Sequence, residues 1–208
     1  MRRIKPKRKR IFGAESYSPR MIMRRLFILL AAFAPLATGL ARPAQVILLR
    51  HAEKPANESD RHLSERGRMR ARALAFCLTT NAVLLAKGPP AALFAPKFTY
   101  DGAALRPYET LEPLAKSLNL AIQTEYSRKR HAGLIRTVMR NPAYAGKTVV
   151  ICWVHEYLPD MAKELGLKPK PTAWKGKVYD RFWVVSWEGD RGKMASIPQH
   201  LLPGDSTD

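Results

Sequence analysis

The sequence predicts a single three-layer α/β domain with a mostly parallel central sheet in residues 42–208. Two short runs, residues 45–49 and 148–153, are almost wholly apolar, which is typical of strands that are buried on both faces. Helical patterns with one apolar face alternate with the predicted strands, and a strand followed by a helix begins a βαβ unit. A chain of 208 residues is long enough for one domain with its own core.

The first 41 residues are expected to be a leader rather than part of the domain. Arg24 and Arg25 precede an apolar stretch, and Gly39 and Ala41 are small residues at the two positions that a signal peptidase reads. We therefore predict a signal peptide over residues 21–41, cleaved after Ala41, and an exported, periplasmic or extracellular protein. The apolar stretch contains a proline and is shorter than the roughly 20 residues of a membrane span, so no stable span is expected after cleavage.

Residues 1–20 are strongly basic. We interpret them as an upstream extension, or a mis-called start ahead of Met21 or Met23, and a nucleic-acid-binding arm is the alternative. Residues 1–41 contain ten of the 36 Lys and Arg residues and one of the 17 acidic residues. The formal charge is +19 for the whole chain and +10 for the predicted domain. Cys77 and Cys152 fall on a predicted helix and strand, where buried free thiols are expected and a single bridge is the alternative.

The elements in the first half of the domain follow from periodicity. After the strand at 45–49, Ser64 and Glu65 form a helix start, and apolar residues recur at helical spacing over residues 65–79. A weak strand is predicted at 91–95 and a helix from Arg106, in which Pro113 should cause a kink or an interruption near Glu112.

The second half repeats the alternation. We predict a strand at 121–125, a very basic loop at 126–131, a short helix at 133–140 and the buried strand at 148–153. A helix follows over residues 158–165, with Gly166 at its C-terminal cap. Residues 181–187 and 194–197 then form a closing hairpin.

Charged residues follow both buried strands directly. Arg50, His51, Glu53 and Lys54 come after the first, and His155 and Glu156 after the second. The carboxyl ends of strands in an open parallel sheet are where ligands bind. An arginine can hold an anion while a neighbouring imidazole attacks or transfers a proton. The alternative is that Arg50 and His51 only cap a strand in solvent.

Four ordered segments resemble the histidine phosphatase superfamily, also called phosphoglycerate mutase-like. They are RHAEK from Arg50, LSERG from Leu63, RPYET from Arg106 and VVICWVHEYLPDMAKELG from Val149. The resemblance covers most of residues 45–166 and implies a phosphoglycerate mutase-like fold. It also implies hydrolysis of phosphomonoesters through a phosphohistidine on His51, with Arg50, Arg106 and His155 holding the phosphoryl oxygens.

The general acid has three candidates. Glu156, directly after the second histidine, resembles the branch of the superfamily that places its acid there, and Glu53 and Glu125 are the rivals. A helix-start acid favoured by the helix dipole is the other interpretation of Glu156. Asn57 lies where many mutase-like members have an asparagine near phosphate, and Lys54 widens the electropositive entrance, so both are predicted to bind substrate.

The predicted partner is a small phosphorylated substrate, with no cofactor, metal or nucleic acid. No metal-ligand spacing or phosphate-binding glycine loop occurs in the sequence. The short stretch between Arg106 and His155 leaves little room for a segment that covers the substrate, which favours a hydrolase over a mutase. The alternative function is a non-catalytic, cationic exported module that binds phosphorylated lipid or polysaccharide.

Overall fold

A computed structural model describes residues 42–57, 59–99 and 103–206. The predicted extension and signal peptide, residues 1–41, lie outside the described residues. The strands are β1 (Gln45–Arg50), β2 (Pro90–Phe94), β3 (Ile122–Gln123), β4 (Thr148–Trp153), β5 (Arg181–Glu188) and β6 (Arg191–Pro198). The α-helices are α1 (Glu65–Thr80), α2 (Leu105–Leu118), α3 (His131–Arg140) and α4 (Leu158–Glu164), with short 3₁₀ turns at Arg128–Arg130, Pro142–Tyr144 and His155–Tyr157.

The six strands form one sheet in the order β3-β2-β4-β1-β5-β6. Strands β3, β2, β4 and β1 are parallel to one another, whereas β5 is antiparallel to both β1 and β6. The predicted mostly parallel sheet is therefore confirmed. The closing hairpin, β5 and β6, extends the sheet beyond β1, so β1 is an interior strand.

Helices cover both faces of this sheet. Ile47 and Leu49 of β1 pack on the side of α1 and α2, in a core cluster that includes Leu74 and Leu114. Val46 and Leu48 face the opposite side, in a cluster that contains side chains of α3 and α4. This alternation explains why β1 is apolar at successive positions, and it confirms the three-layer α/β/α architecture.

Helix α2 differs from the prediction at Pro113. The prediction was a kink or an interruption near Glu112. The helix continues through the proline and ends at Leu118, so an interruption is wrong. Proline removes one backbone donor, and burial of Leu111, Leu114 and Ala115 on both sides of it keeps the two halves on the sheet.

The region around β3 is also less regular than predicted. The strand contains two residues rather than the predicted 121–125, and its side chains are only partly buried. The basic loop ends in the 3₁₀ turn, and α3 begins two residues earlier than predicted, at His131.

The cysteines are placed as predicted. Cys77 and Cys152 are buried free thiols, and burial raises the pKa of both. Trp153 and Trp183 are buried in the core, and Trp187 packs against it. Within the described ranges, no helix is long and apolar enough to cross a membrane.

Candidate active site

The two histidines that follow buried strands meet at one edge of the sheet. Strands β1 and β4 are parallel neighbours in which Arg50 lies opposite Trp153. The backbone N–H of His51 donates to the carbonyl of Trp153 over 3.2 Å, one step beyond the strands. His155 begins the 3₁₀ turn after β4, so residues about a hundred positions apart in the chain share the carboxyl edge of the sheet.

A pocket of about 420 Å³ opens at this edge. Its wall combines both histidines with many cationic side chains and one carboxylate. The lining residues are Arg50, His51, Lys54, Arg61, Ala103, Ala104, Leu105, Arg106, Pro107, Arg128, Val154, His155 and Glu156. The electrostatic character of the pocket suits an anion.

His51 lies at this edge of the sheet and is almost fully buried, with 6% of its surface exposed. Its Nδ1 lies 2.7 Å from the carbonyl oxygen of Ala52, and because a carbonyl only accepts, Nδ1 carries the proton. Burial lowers the pKa of His51 to about 3; the Ala52 carbonyl opposes this shift, and the charges of Arg50 and Arg106 add to it. The ring is therefore neutral at pH 7, with its lone pair on Nε2.

Arg50 is fixed by the segment that precedes β5. Its Nη1 donates to the carbonyls of Gly176 and Val178 over 2.6 and 3.2 Å, and its Nη2 donates to the Tyr179 hydroxyl over 3.2 Å. The guanidinium carbon lies 3.8 Å from the centre of the Tyr179 ring. Its buried Nε has no hydrogen-bond partner within the described residues. A buried, unpaired donor of a charged group is costly.

The first turn of α2 is tied to the loop after His51. The Thr110 hydroxyl donates to the carbonyl of Arg106 over 2.8 Å and accepts the backbone N–H of Ala52 over 2.9 Å. Thr110 is buried. This hydrogen-bond chain fixes the start of α2, and hence Arg106, relative to the residue beside His51.

Arg106 itself holds the loop that precedes α1. Its Nε donates to the carbonyl of His62 over 3.0 Å, and its Nη2 donates to the carbonyl of Asp60. Arg61 lies between these two residues and also lines the pocket. Arg106 thus both contributes charge to the pocket and fixes the backbone on either side of a second arginine.

His155 and Glu156 form the opposite wall. Nδ1 of His155 lies 3.4 Å from a carboxylate oxygen of Glu156, whose side chain is 63% exposed. Burial and the charge of Arg50 lower the pKa of His155, against the opposing charge of Glu156. A β-carbon built on Gly176 would lie 3.4 Å from Nε2 of His155, so the same segment that binds Arg50 also borders this histidine.

Comparison with solved structures identifies the fold. The chain matches a candidate alpha-ribazole-5'-P phosphatase from Escherichia coli with a TM-score of 0.54 at 12% identity, over 76% of this chain and 97% of that one. The chain has the phosphoglycerate mutase-like fold. This confirms the fold that the four sequence segments implied.

Two further matches are weaker in superposition. A mycobacterial glucosyl-3-phosphoglycerate phosphatase in complex with inorganic phosphate has a TM-score of 0.49 at 13% identity, over 73% of this chain and 95% of that one. A candidate phosphohistidine phosphatase from Agrobacterium tumefaciens has a TM-score of 0.45 at 18% identity, over 74% and 98% of the two chains. No protein-family model and no curated protein matches the sequence.

On this phosphoglycerate mutase-like fold, most predicted site residues come together. Arg50, His51, Lys54, Arg106, His155 and Glu156 all line the pocket. Asn57 does not: it is exposed, and its side-chain oxygen accepts hydrogen bonds from the backbone N–H and hydroxyl of Ser59.

The two rival acids are also outside the pocket lining. The Glu53 carboxylate accepts from Nη2 of Arg70 over 2.7 Å and from Nε of Arg66 over 3.2 Å. Glu125 is exposed and does not line the pocket. Among the three candidates, Glu156 is therefore the one that lines the pocket, with a carboxylate oxygen 3.4 Å from Nδ1 of His155.

Sequence reasoning missed the residues that position the site. Ser64 binds the Glu53 carbonyl through its backbone N–H and its hydroxyl over 2.9 and 3.1 Å, and its hydroxyl also caps Gly67. Thr110, Tyr179 and Arg61 were given no role either. The helix-cap pattern at Ser64 was visible in the sequence, whereas no sequence signal links Tyr179 to Arg50.

The described residues contain no group of three or more His, Cys, Asp or Glu side chains that could hold a metal ion. The donors that converge on the pocket are mainly guanidinium groups, which suit phosphate oxygens.

Proposed function

We propose that this chain is a phosphomonoester hydrolase that works through a phosphohistidine intermediate on His51 and needs no cofactor. The main support is the state of the His51 imidazole, which is buried, neutral and part of the lining of a cationic pocket. The Ala52 carbonyl fixes its proton on Nδ1. Phosphoryl transfer requires positioned positive donors more than elaborate covalent chemistry. The Escherichia coli protein with the same fold is named for a phosphatase activity, which supports the proposal.

In the first step, Nε2 of His51 attacks the phosphorus atom. The bond from phosphorus to the ester oxygen breaks, and that oxygen keeps the electron pair and takes a proton from the carboxylic acid of Glu156. The guanidinium groups of Arg50 and Arg106 and the imidazole of His155 donate to the phosphoryl oxygens. Donors at the developing charge lower the barrier because they are positioned in advance.

In the second step, water attacks the phosphorus of the phosphohistidine. The phosphorus–nitrogen bond breaks and its electron pair returns to Nε2, while the Glu156 carboxylate takes the proton of the water. Inorganic phosphate leaves and the starting protonation state is restored. The pocket wall includes exposed side chains of Lys54, Arg61 and Arg128, so water has access, which favours hydrolysis over transfer to a second substrate.

The rival function, a cationic binding module, does not account for His51. A neutral imidazole adds no positive charge to an anion-binding site, and the depressed pKa of His51 makes the ring a poorer cation. A nucleophile, in contrast, requires the unprotonated ring. The state of His51 therefore favours catalysis over simple anion binding.

We also propose that the domain acts outside the cytoplasm after removal of residues 1–41. The basis is the sequence pattern at Arg24, Arg25 and Ala41. N-terminal sequencing of the protein recovered from the exported fraction is expected to begin at Arg42. Recovery of a protein that still carries residues 1–20 would contradict the proposal and restore the nucleic-acid-binding arm as a candidate.

The test of the enzyme is hydrolysis of an aryl phosphate by the purified protein with EDTA present. The parent protein should turn over, His51→Ala should lose turnover, and His200→Ala, at an exposed histidine outside the pocket, should retain it. Acid quench of the parent with labelled substrate should trap a phosphoramidate that His51→Ala lacks. Equal turnover in the parent and His51→Ala would overturn the proposal.

A further inference from the structure

We propose, on the basis of the function proposed above, that the substrate carries a second anionic group, a phosphate or a carboxylate, which Arg61 and Arg128 bind. The first observation is the charge of the pocket. Five lining side chains are Lys or Arg and one, Glu156, is acidic, with His51 neutral. A phosphomonoester carries a charge of about −2 at neutral pH, which leaves cationic side chains in excess of what one phosphoryl group requires.

Binding of the reactive phosphoryl group requires only some of these five cationic side chains. Arg50 and Arg106 are fixed beside His51, one by the end of β1 and the other by the Thr110 bridge to Ala52. Arg61 and Arg128 line the same pocket but have no part in the phosphoryl-transfer steps. Their guanidinium groups make no hydrogen bond or ion pair with any residue that the structure describes.

The backbone of Arg61 is fixed although its side chain is exposed. Arg106 donates to the carbonyls of Asp60 and His62, the residues on either side of Arg61. These two hydrogen bonds fix the backbone on both sides of Arg61, and this fixed backbone positions Arg61 at the pocket. Arg106, which is predicted to bind the reactive phosphoryl group, also holds a second guanidinium at the same pocket.

The backbone of Arg128 is fixed from the other side. The indole N–H of Trp153, a fully buried residue at the end of β4, donates to the Arg128 carbonyl over 3.2 Å. Arg128 also begins a 3₁₀ turn that leads directly into α3. Lys129 and Arg130 belong to the same turn and do not line the pocket. Of these three successive cationic residues, Arg128 is therefore the one that lines it.

Two guanidinium groups with anchored backbones and unpaired donors form a suitable subsite for a planar or tetrahedral anion. The preferred substrates are then phosphomonoesters whose leaving group carries its own phosphate or carboxylate. Phosphomonoesters whose leaving group carries no anionic group would use the reactive subsite alone.

The test uses three small phosphonates that the enzyme does not hydrolyse. Ethylphosphonate has one anionic group, phosphonopropionate adds a carboxylate and ethylenebisphosphonate adds a second phosphonate. We call phosphonopropionate and ethylenebisphosphonate the two-headed ligands, because each has two anionic groups. In calorimetric titration of the parent protein, at least one of them should bind with a Kd at least about tenfold lower than that of ethylphosphonate. Which two-headed ligand binds more tightly identifies the second anion as carboxylate or phosphate.

Variants separate a specific subsite from general attraction to a basic surface. Arg61→Ala and Arg128→Ala should each reduce the preference for two-headed ligands and leave the Kd of ethylphosphonate within about twofold. Lys129→Ala is the control: it removes the same charge next to the pocket and should preserve the preference. Equal losses in all three variants, an unchanged preference in Arg61→Ala and Arg128→Ala, or no binding of any phosphonate would overturn the subsite. Because binding is measured without turnover, failure of the subsite is distinct from failure of the proposed catalysis.

Discussion

Gly67 of α1 lies so close to Glu53, two residues after His51, that a β-carbon built on the glycine would meet the Glu53 carbonyl oxygen at 2.4 Å. The same carbonyl accepts hydrogen bonds from Ser64. The start of α1 therefore fixes the loop that follows His51, and only a glycine permits this approach.

Gly67→Ala should displace this loop. We expect a loss of about 1–3 kcal/mol in the free energy of unfolding, because the neighbouring atom is backbone and cannot rotate away. Turnover should fall with it, since His51 and Glu53 belong to one loop. Urea denaturation and initial rates measure the two effects.

The control for this change is Gly133→Ala in α3. Its β-carbon would meet a ring carbon of Tyr126 at 3.2 Å, a side chain that can move, and alanine favours a helix by up to about 1 kcal/mol. Equal effects of the two substitutions on stability and turnover would show that the contact with Glu53 is unimportant.

Asp205 should be a major contributor to stability. Its carboxylate accepts from Nη2 of Arg70 over 2.6 Å, and the two side chains are 3% and 2% exposed. Arg70 also binds Glu53 and Gln199, so the pair links the C-terminal segment to the loop after His51. Asp205→Ala leaves a buried guanidinium with fewer partners, which typically costs about 3–5 kcal/mol.

Asp190→Ala is the matched control, because Asp190 pairs with Arg42 at the surface with 88% of its side chain exposed. That change should cost no more than about 1 kcal/mol. Equal losses in the two variants, measured by urea denaturation at pH 7, would contradict the assigned importance of the buried pair.

The contribution of Asp205 should depend on pH. Burial raises its pKa, but hydrogen bonds from Arg70, Leu202 and Leu201 outweigh this and lower the pKa to about 2 from 3.8. The carboxylate therefore stabilises the fold fully above pH 3.8, and this contribution is lost as the pH falls towards 2. The difference in stability between the parent and Asp205→Ala should shrink over that interval, and an unchanged difference at pH 2 would contradict the assignment.

His51 and His62 should titrate on opposite sides of pH 6.5. Burial and the nearby charges lower the pKa of His51 to about 3, whereas a hydrogen bond to Glu109 and the charge of that residue raise the pKa of exposed His62. Imidazole NMR signals should resolve both, with His51→Ala identifying its own resonance. A His51 signal that titrates near 6.5 would argue against a neutral, buried nucleophile.

The same depressed pKa predicts a stability effect. The unfolded chain binds a proton at His51 below pH 6.5, whereas the folded chain does so only near pH 3. The free energy of unfolding should therefore fall as the pH drops from about 6.5 to about 3. His51→Ala should remove this part of the pH dependence, and a parent and variant with parallel profiles would contradict the shift.

Glu156 should matter most for substrates with poor leaving groups. Glu156→Gln is expected to slow hydrolysis of an alkyl phosphate by roughly a hundredfold or more, and to affect p-nitrophenyl phosphate much less, because p-nitrophenolate leaves without a proton. Glu125→Gln, outside the pocket, should alter neither rate. Glu53→Gln should instead lower stability, since that carboxylate binds Arg70 and Arg66. Equal slowing of both substrates by Glu156→Gln would exclude proton donation to the leaving group.

The sequence by itself determined the main elements and the residues of the candidate site that follow the buried strands. The apolar run at β4 was predicted with its observed bounds, and α1 and β1 were each predicted to within one residue at their ends, because a buried strand and a one-sided helix impose their own periodicities on the chain. The charged residues after β1 and β4 were likewise visible, because the chain changes abruptly from apolar to ionisable residues at both places.

Only the tertiary structure decided which of these residues act together. Placement of β4 beside β1 brings His51 and His155 to one edge. Glu53 is paired with Arg70 outside the pocket lining, whereas Glu156 lines the pocket. The same is true of Arg61, whose position depends on hydrogen bonds from Arg106, and of α2, which passes through Pro113 because its apolar face is buried. Each outcome depends on contacts between residues far apart in the chain, which local periodicity does not encode.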